Sequence, residues 1–158
     1  MLTKKGRQDA GQFTAEGIRL LEESLRHHYL PVDLFYVPSQ LDQRSLALIE
    51  NYRKNGIIGR PITPLEMNQI TDTAANQGVL ALFNIARPDI RKLGSPESRR
   101  ILMLDNISDP GNAGTILRSA LAFGFRAAIF CENSVEPFNP KVVRSSAGAI
   151  FGIDIFSL

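Results

Sequence analysis

The segment from Ile101 to Cys131 limits the fold more than any other part of this 158-residue chain. Two runs without a polar interruption, ILML (101–104) and AAIFC (127–131), bracket the loop and helix of LDNISDPGNAGTILRSALAFGF (104–125). Short, continuously apolar runs are what parallel strands covered on both faces require. Between them, the stretch from about Asn112 to Phe123 places Ile116, Leu117, Ala120 and Leu121 on one helical stripe. Parallel strands cannot be joined by a tight turn, so strand, helix and strand together read as a βαβ unit. A second helix is predicted from Asn139 to Ser146, and FGIDIF (151–156) alternates as a third strand. Three strands and two helices in the 58 residues from 101 to 158 make about half of an ordinary doubly wound domain, with a parallel edge left open. The expectation is a domain that is cut short, or whose other half is supplied elsewhere.

Upstream the elements alternate in type. A helix is predicted from Thr14 to about Tyr29, with Thr14 as N-cap and Ile18, Leu21 and Leu25 at helical spacing. VDLFYV (32–37) reads as a strand, and Leu41 to Lys54 as a second amphipathic helix stopped at Asn55-Gly56. Arg60 to Thr63 follows as a short strand, Pro64 to Ile70 as a short helix with proline in its first turn, and GVLALFNI (78–85) as a strong strand. These elements make an α/β/α unit over residues 1–86. The stretch ARPDIRKLGSPESRR has Pro88, Gly94, Ser95 and Pro96 but no helical or strand period, so 87–99 reads as a linker leading into 100–158.

Charge narrows the class only slightly. The net charge is +2, too small by itself to predict a nucleic-acid partner, but the basic residues gather at Lys4, Lys5 and Arg7 and at Arg87, Arg91, Lys92, Arg99 and Arg100. The second group fits either a solvated linker or an RNA-facing one. A single cysteine, Cys131, excludes an internal disulfide and a cysteine-rich metal site, which favours a cytoplasmic setting. At the end of an apolar strand it reads as an inert core residue. No apolar segment approaches the roughly 20 residues of a membrane span, and the basic start has no signal-like apolar stretch behind it. His27 and His28 have no second pair to join in holding a metal, so none is expected; Glu132 and Glu136 are not spaced as an acid/base pair.

The loop between Asp105 and Gly111 leaves the carboxyl end of a predicted strand and enters a helix, which is where open α/β sheets bind ligands. Asn112 is a candidate N-cap, and the amides of Ala113 and Gly114 would then face an anion. Gly111 and Gly114 allow close backbone approach. Neither G-x-G-x-x-G nor a phosphate loop ending in Gly-Lys-Ser/Thr is present, and DPGN alone is also an ordinary turn. Arg118 lies one turn beyond Gly114 and Thr115, and helical side chains lean toward the N-terminus. Its guanidinium can therefore reach back over roughly 6 Å of axis to a phosphate at the loop. The alternative is an arginine that snorkels over apolar surface.

LDNISDPGNAGTILRSALAFGF resembles the first motif of the SpoU family of RNA ribose 2'-O-methyltransferases, within the knotted SPOUT class, and NPKVVRSSAGAIF (139–151) resembles the second. KKGRQDAGQFTAEG and TDTAANQGVLAL resemble the start and end of that family's substrate-binding domain. The resemblance implies an α/β architecture in which a small ribosomal-protein-like α/β/α substrate-binding domain precedes a parallel-sheet methyltransferase domain of trefoil-knot type. It implies that Asn112 and Arg118 form the first-motif active-site pair and that Ser146, Gly148 and Ala149 are second-motif positions. Lys5, Arg7 and Glu16-Gly17 match the front of the substrate domain, where the basic residues would meet RNA. It also implies S-adenosylmethionine as cofactor, rRNA or tRNA as substrate, and a homodimer. The Gly-x-Glu-x-x-Gly segment and the Ser/Asn-rich third motif that complete the family's cofactor pocket are not found before Leu158. This sequence is expected to lack most of that pocket.

The implied reaction is attack of a ribose 2'-hydroxyl on a sulfonium methyl, which needs no metal because the leaving thioether is neutral. A guanidinium stays protonated near neutral pH, so Arg118 suits a clamp on the neighbouring phosphate and on developing alkoxide charge better than a general base. Lys141 and Arg144, one turn apart on the predicted second helix, fit RNA phosphate contact or plain surface charge, and Ser146 follows them as a further RNA candidate. Two functions of different class remain: a methyltransferase, and an RNA-binding protein without catalysis.

Overall fold

The computed structural model describes residues 3–71, 73, 76–94 and 100–158, which fall into two units, Met1–Ile85 and Ala86–Leu158. Of the predicted linker, 95–99 lie outside the described residues. Ile90–Gly94 forms a 3-10 turn, and Leu93 packs on the buried Ala127, Ile129 and Phe156 of the second unit.

The first unit opens with a helix that the sequence reading did not contain, α1 (Lys4–Ala10). It is capped by Thr3, whose hydroxyl accepts from the Gly6 amide at 3.1 Å, and closed by Gly11 in the left-handed conformation. The expected helix from Thr14 is corrected. Residues Gln12–Glu16 are strand β1, with Thr14 opposite Leu82, and helix α2 spans only Ile18–Arg26 after Gly17 at φ 99°. Phe13 and Ala15 alternate inward at 0% and 2% exposure, a strand period that ends where the helical one begins. Gly17 offers no capping side chain, so the Gln77 carboxamide oxygen accepts from the Ile18 amide at 3.0 Å instead.

Strand β2 (Asp33–Tyr36), helix α3 (Gln43–Lys54), the two-residue strand β3 (Arg60–Pro61), helix α4 (Pro64–Ile70) and strand β4 (Val79–Asn84) follow. The sheet runs β1-β4-β2-β3, antiparallel except for β2 with β3. Asp42 and Thr63 close reciprocal capping boxes at the starts of α3 and α4. The carboxyl groups engaged there, Asp42 and Glu66, are held below the usual carboxylate range, in each case chiefly by the backbone hydrogen bond accepted from Ser45 and from Thr63 respectively. Tyr52 is the largest fully buried side chain; its hydroxyl lies 2.7 Å from Ser24 Oγ and 2.8 Å from the Leu21 carbonyl oxygen. Burial pushes the phenol up to about 12.

In the second unit strand β5 (Ile101–Leu104), helix α5 (Pro110–Ala122), strand β6 (Ala127–Phe130), helix α6 (Pro140–Ser145) and strand β7 (Asp154–Ser157) form a parallel sheet in the order β5-β6-β7. Ile101 pairs with Ala127 and Ala127 with Asp154. The predicted third strand is later than expected because Ala149–Phe151 is a 3-10 turn. Central β6 is buried at all four positions, as its apolar run requires. Edge strand β5 is not: Leu104 is buried, but Ile101 and Met103 are exposed. Its uniform apolarity therefore overstates how far its two faces are covered.

Candidate active site

Strand β5 ends at Leu104, whose carbonyl accepts from the Cys131 amide at 2.9 Å and from Ser134 Oγ at 3.0 Å. The loop then runs through Asn106, at φ 55°, to Ile107, whose amide donates to Ser134 Oγ at 3.2 Å. Its carbonyl accepts from the Val135 amide at 2.8 Å. At the far end Asp109 caps α5, its Oδ1 accepting from the Asn112 amide at 2.7 Å, and Pro110 fills the first helical position, where no amide is needed.

This corrects the predicted cap. Asn112 is not the N-cap but the third residue of the helix, its amide already bound. Nor are Ala113 and Gly114 open to an anion: both are buried, and the Ala113 amide donates to the Asp109 carbonyl at 3.1 Å. The signal for the true start was present in the Asp109-Pro110 pair, a cap residue followed by a first-turn proline. The Asn112 side chain remains exposed. Arg118 is exposed as well, and among the described residues its guanidinium takes no partner. It stands two turns from Gly111 on the same side of the helix.

The second motif packs directly on this helix. Asn139 caps α6, its Oδ1 accepting from the Lys141 amide at 2.9 Å. Lys141 is exposed, with Nζ 4.0 Å from Asp109 Oδ2; Arg144 is half-buried. The close approach expected at Gly114 is made not to a ligand but to α6. A Cβ there would stand 2.0 Å from Ser145 Oγ, 2.6 Å from the Val142 carbonyl oxygen and 2.7 Å from the Ser146 amide nitrogen. Ser145 Oγ has one hydrogen to share among the carbonyls of Lys141 at 2.6 Å and Val142 at 3.2 Å on its own helix and that of Pro110, 3.1 Å away at the start of α5.

Two expected RNA contacts leave the surface. Ser146 is fully buried, its hydroxyl donating to the Val143 carbonyl at 2.7 Å, so it terminates α6 rather than facing outward. Arg7 is only 2% exposed, whereas Lys5 on the same helix is exposed. Gly148 is left-handed at φ 97° and Ala149 is buried. Glu16 accepts a hydrogen bond from the Thr73 hydroxyl. His27 ends α2, and Cys131 is half-buried just past β6. Sequence reasoning did not single out Asp109, Ser134 or Ser145. Only Asp109 carried a readable signal, because a serine hydroxyl bound to a remote carbonyl has no local pattern.

Residues 99–158 match the SpoU rRNA Methylase family, and residues 1–81 match the MRM3-like substrate binding domain. The chain belongs to the MRM3-like substrate binding domain family by just over half of its length, and its remaining part carries the SpoU methylase match. It is 33% identical, over 98% of its own length, to the rRNA methyltransferase 3, mitochondrial, of Xenopus tropicalis, and spans 37% of that protein. It is 29% identical to the 23S rRNA (guanosine(2553)-2'-O)-methyltransferase RlmP of Bacillus subtilis (strain 168), covering 97% of this chain and 57% of the relative. The crystal structure of an AdoMet-bound rRNA methyltransferase from Sinorhizobium meliloti superposes with a TM-score of 0.81 at 26% identity, over 99% of this chain and 57% of that one. The chain thus spans about a third to three fifths of these relatives. Among the described residues no helix is long and apolar enough to cross a membrane, and no group of three or more His, Cys, Asp or Glu could hold a metal ion.

Proposed function

We propose that this chain serves an S-adenosylmethionine-dependent ribose 2'-O-methyltransferase acting on ribosomal RNA, and that its own residues place the RNA. The observation that carries this reading is the position of α5. It begins off the carboxyl end of a parallel strand and presents Asn112 and Arg118 to solvent, at the positions that match the SpoU first motif. Arg118 clamps the phosphate beside the target ribose and stabilises negative charge developing on its 2'-oxygen, while Asn112 orients the sugar. Lys141 and Arg144 flank the same helix pair as further phosphate contacts, and Lys5 of the first unit reaches RNA backbone.

When bound, S-adenosylmethionine supplies an electrophilic methyl group. The described residues do not enclose it: Asp105, Asn106, Ser108, Asp109 and Asn112 are exposed, as are Ile101 and Met103 of β5. No residue of this chain is therefore assigned to hold it. The same exposure favours the second reading, in which the chain binds RNA without catalysing transfer. The homodimer implied by the resemblance and the cytoplasmic setting read from the single cysteine belong to this proposal, and sedimentation velocity tests the former.

Calorimetric titration with S-adenosylmethionine and transfer of a labelled methyl group to an unmodified 23S rRNA transcript test the activity, using this chain and the full-length gene product. Transfer to ribose 2'-oxygen by the full-length protein is expected. Its absence, with RNA binding retained and weakened steeply by salt, would favour the non-catalytic reading.

A further inference from the structure

The first-motif loop is tied down at both ends by serine hydroxyls from outside it. At its start Ser134 Oγ donates to the Leu104 carbonyl at 3.0 Å and accepts from the Ile107 amide at 3.2 Å. At its end Ser145 Oγ lies 3.1 Å from the Pro110 carbonyl oxygen, which shares its one hydrogen with the carbonyls of Lys141 at 2.6 Å and Val142 at 3.2 Å on its own helix. These contacts span 30 and 35 residues of sequence, and between them lie all of the loop from Asp105 to Asp109 and the entry to α5. Between them the loop has one further tie, the Ile107 carbonyl, which accepts from the Val135 amide at 2.8 Å. Asp105, Asn106, Ser108 and Asp109 are exposed, Asn106 sits in the left-handed region that costs a non-glycine residue, and Ile107 is only half-buried.

We infer that Ser134 and Ser145 are positioning residues that hold the first-motif loop in its RNA-competent conformation, Ser134 at the strand end and Ser145 at the helix end. The inference rests on the RNA-placing role proposed above. Neither side chain needs to touch RNA. Each acts through the backbone that carries Asp109 and Asn112, and Ser145 acts also on the join between the two motifs, because its hydroxyl occupies the space that Gly114 leaves open. A loop released at one end spreads over more conformations, and apparent affinity falls in proportion to the fraction still competent to bind. One hydrogen bond of ordinary net strength corresponds to a population change of about fivefold.

The test uses the full 158-residue chain with Ser134→Ala, Ser145→Ala and the hydroxyl-retaining Ser134→Thr. Dissociation constants for an unmodified 23S rRNA transcript are measured beside amide hydrogen exchange at Asn112 and Val135. Each alanine variant is expected to bind the transcript about fivefold more weakly, with faster exchange at Asn112 or Val135, and Ser134→Thr to restore both. A merely structural role would lower the melting temperature without changing the dissociation constant of the folded fraction. Alanine variants that bind like the parent overturn the inference and leave the RNA-placing role standing. If the parent chain does not bind the transcript, that role fails. Exchange then decides the loop-holding part: unchanged protection at Asn112 and Val135 overturns it, and lost protection retains it.

Discussion

Replacing Gly114 by alanine probes the contact that joins the two motifs. The new methyl would lie 2.0 Å from Ser145 Oγ, which a rotamer change can relieve, but also 2.6 Å and 2.7 Å from Val142 O and Ser146 N, which are backbone atoms. Restoring ordinary contact requires α6 to move off α5 by roughly 1 Å, and overpacking of this kind costs about 1–3 kcal/mol, with two backbone clashes placing it at the upper end. Alanine is the better helix former by about 1 kcal/mol, so the net loss is about 2 kcal/mol. For a unit the size of Ala86–Leu158, each kcal/mol shifts the midpoint by about 4–8 °C, giving a fall of roughly 8–16 °C. Differential scanning calorimetry of the whole chain reads this as a lowered transition of the second unit, with that of the first unchanged. The double variant Gly114→Ala/Ser145→Ala should recover less than half of the loss, because the backbone clashes remain. A midpoint within about 2 °C of the parent would refute the reasoning, since helix propensity would then have outweighed the contact.

Three further outcomes follow from the same geometry. Arg118→Lys in the full-length protein keeps the charge but loses the planar fork, and methyl transfer should fall by about tenfold or more while the melting temperature stays put, because the side chain is exposed. Asp109→Ala removes the cap of α5; thermal melting should show a loss of about 1 kcal/mol, and amide exchange should show lost protection at Asn112. Tyr52→Phe should cost about 1 kcal/mol near neutral pH through its lost hydrogen bond. It should also change the alkaline limb of stability. With the folded phenol pushed up to about 12, the Tyr52 contribution is complete below the unfolded value near 10 and disappears as pH rises toward about 12. Denaturant melts from pH 9 to 12 should therefore slope less steeply for the variant.

Much of the secondary structure was legible because it depends on neighbours in the chain. Pro64 began α4 where proline at a first turn must, Asn55-Gly56 stopped α3, and the buried run of β6 read as a parallel strand. Two errors share a cause. Thr14 reads as a helix cap because a helical period lies just beyond it, although Phe13 and Ala15 already mark a strand. Asn112 reads as a cap because it is a good one in isolation, although Asp109-Pro110 is better placed. In both, two local signals competed and the tertiary context chose between them.

The sequence by itself determined the α/β character, the βαβ unit and the loop that carries Asn112 and Arg118, since periodicity, capping and turn chemistry act over a few residues. Tertiary structure decided the rest. Arg7 and Ser146 look like surface polar groups in the sequence and are buried in the fold, and the opening at Gly114 is filled by a helix rather than a ligand. The loop's two anchors come from residues 30 and 35 positions away. Burial and hydrogen bonding between distant residues depend on how the elements pack, and no local pattern encodes that distance.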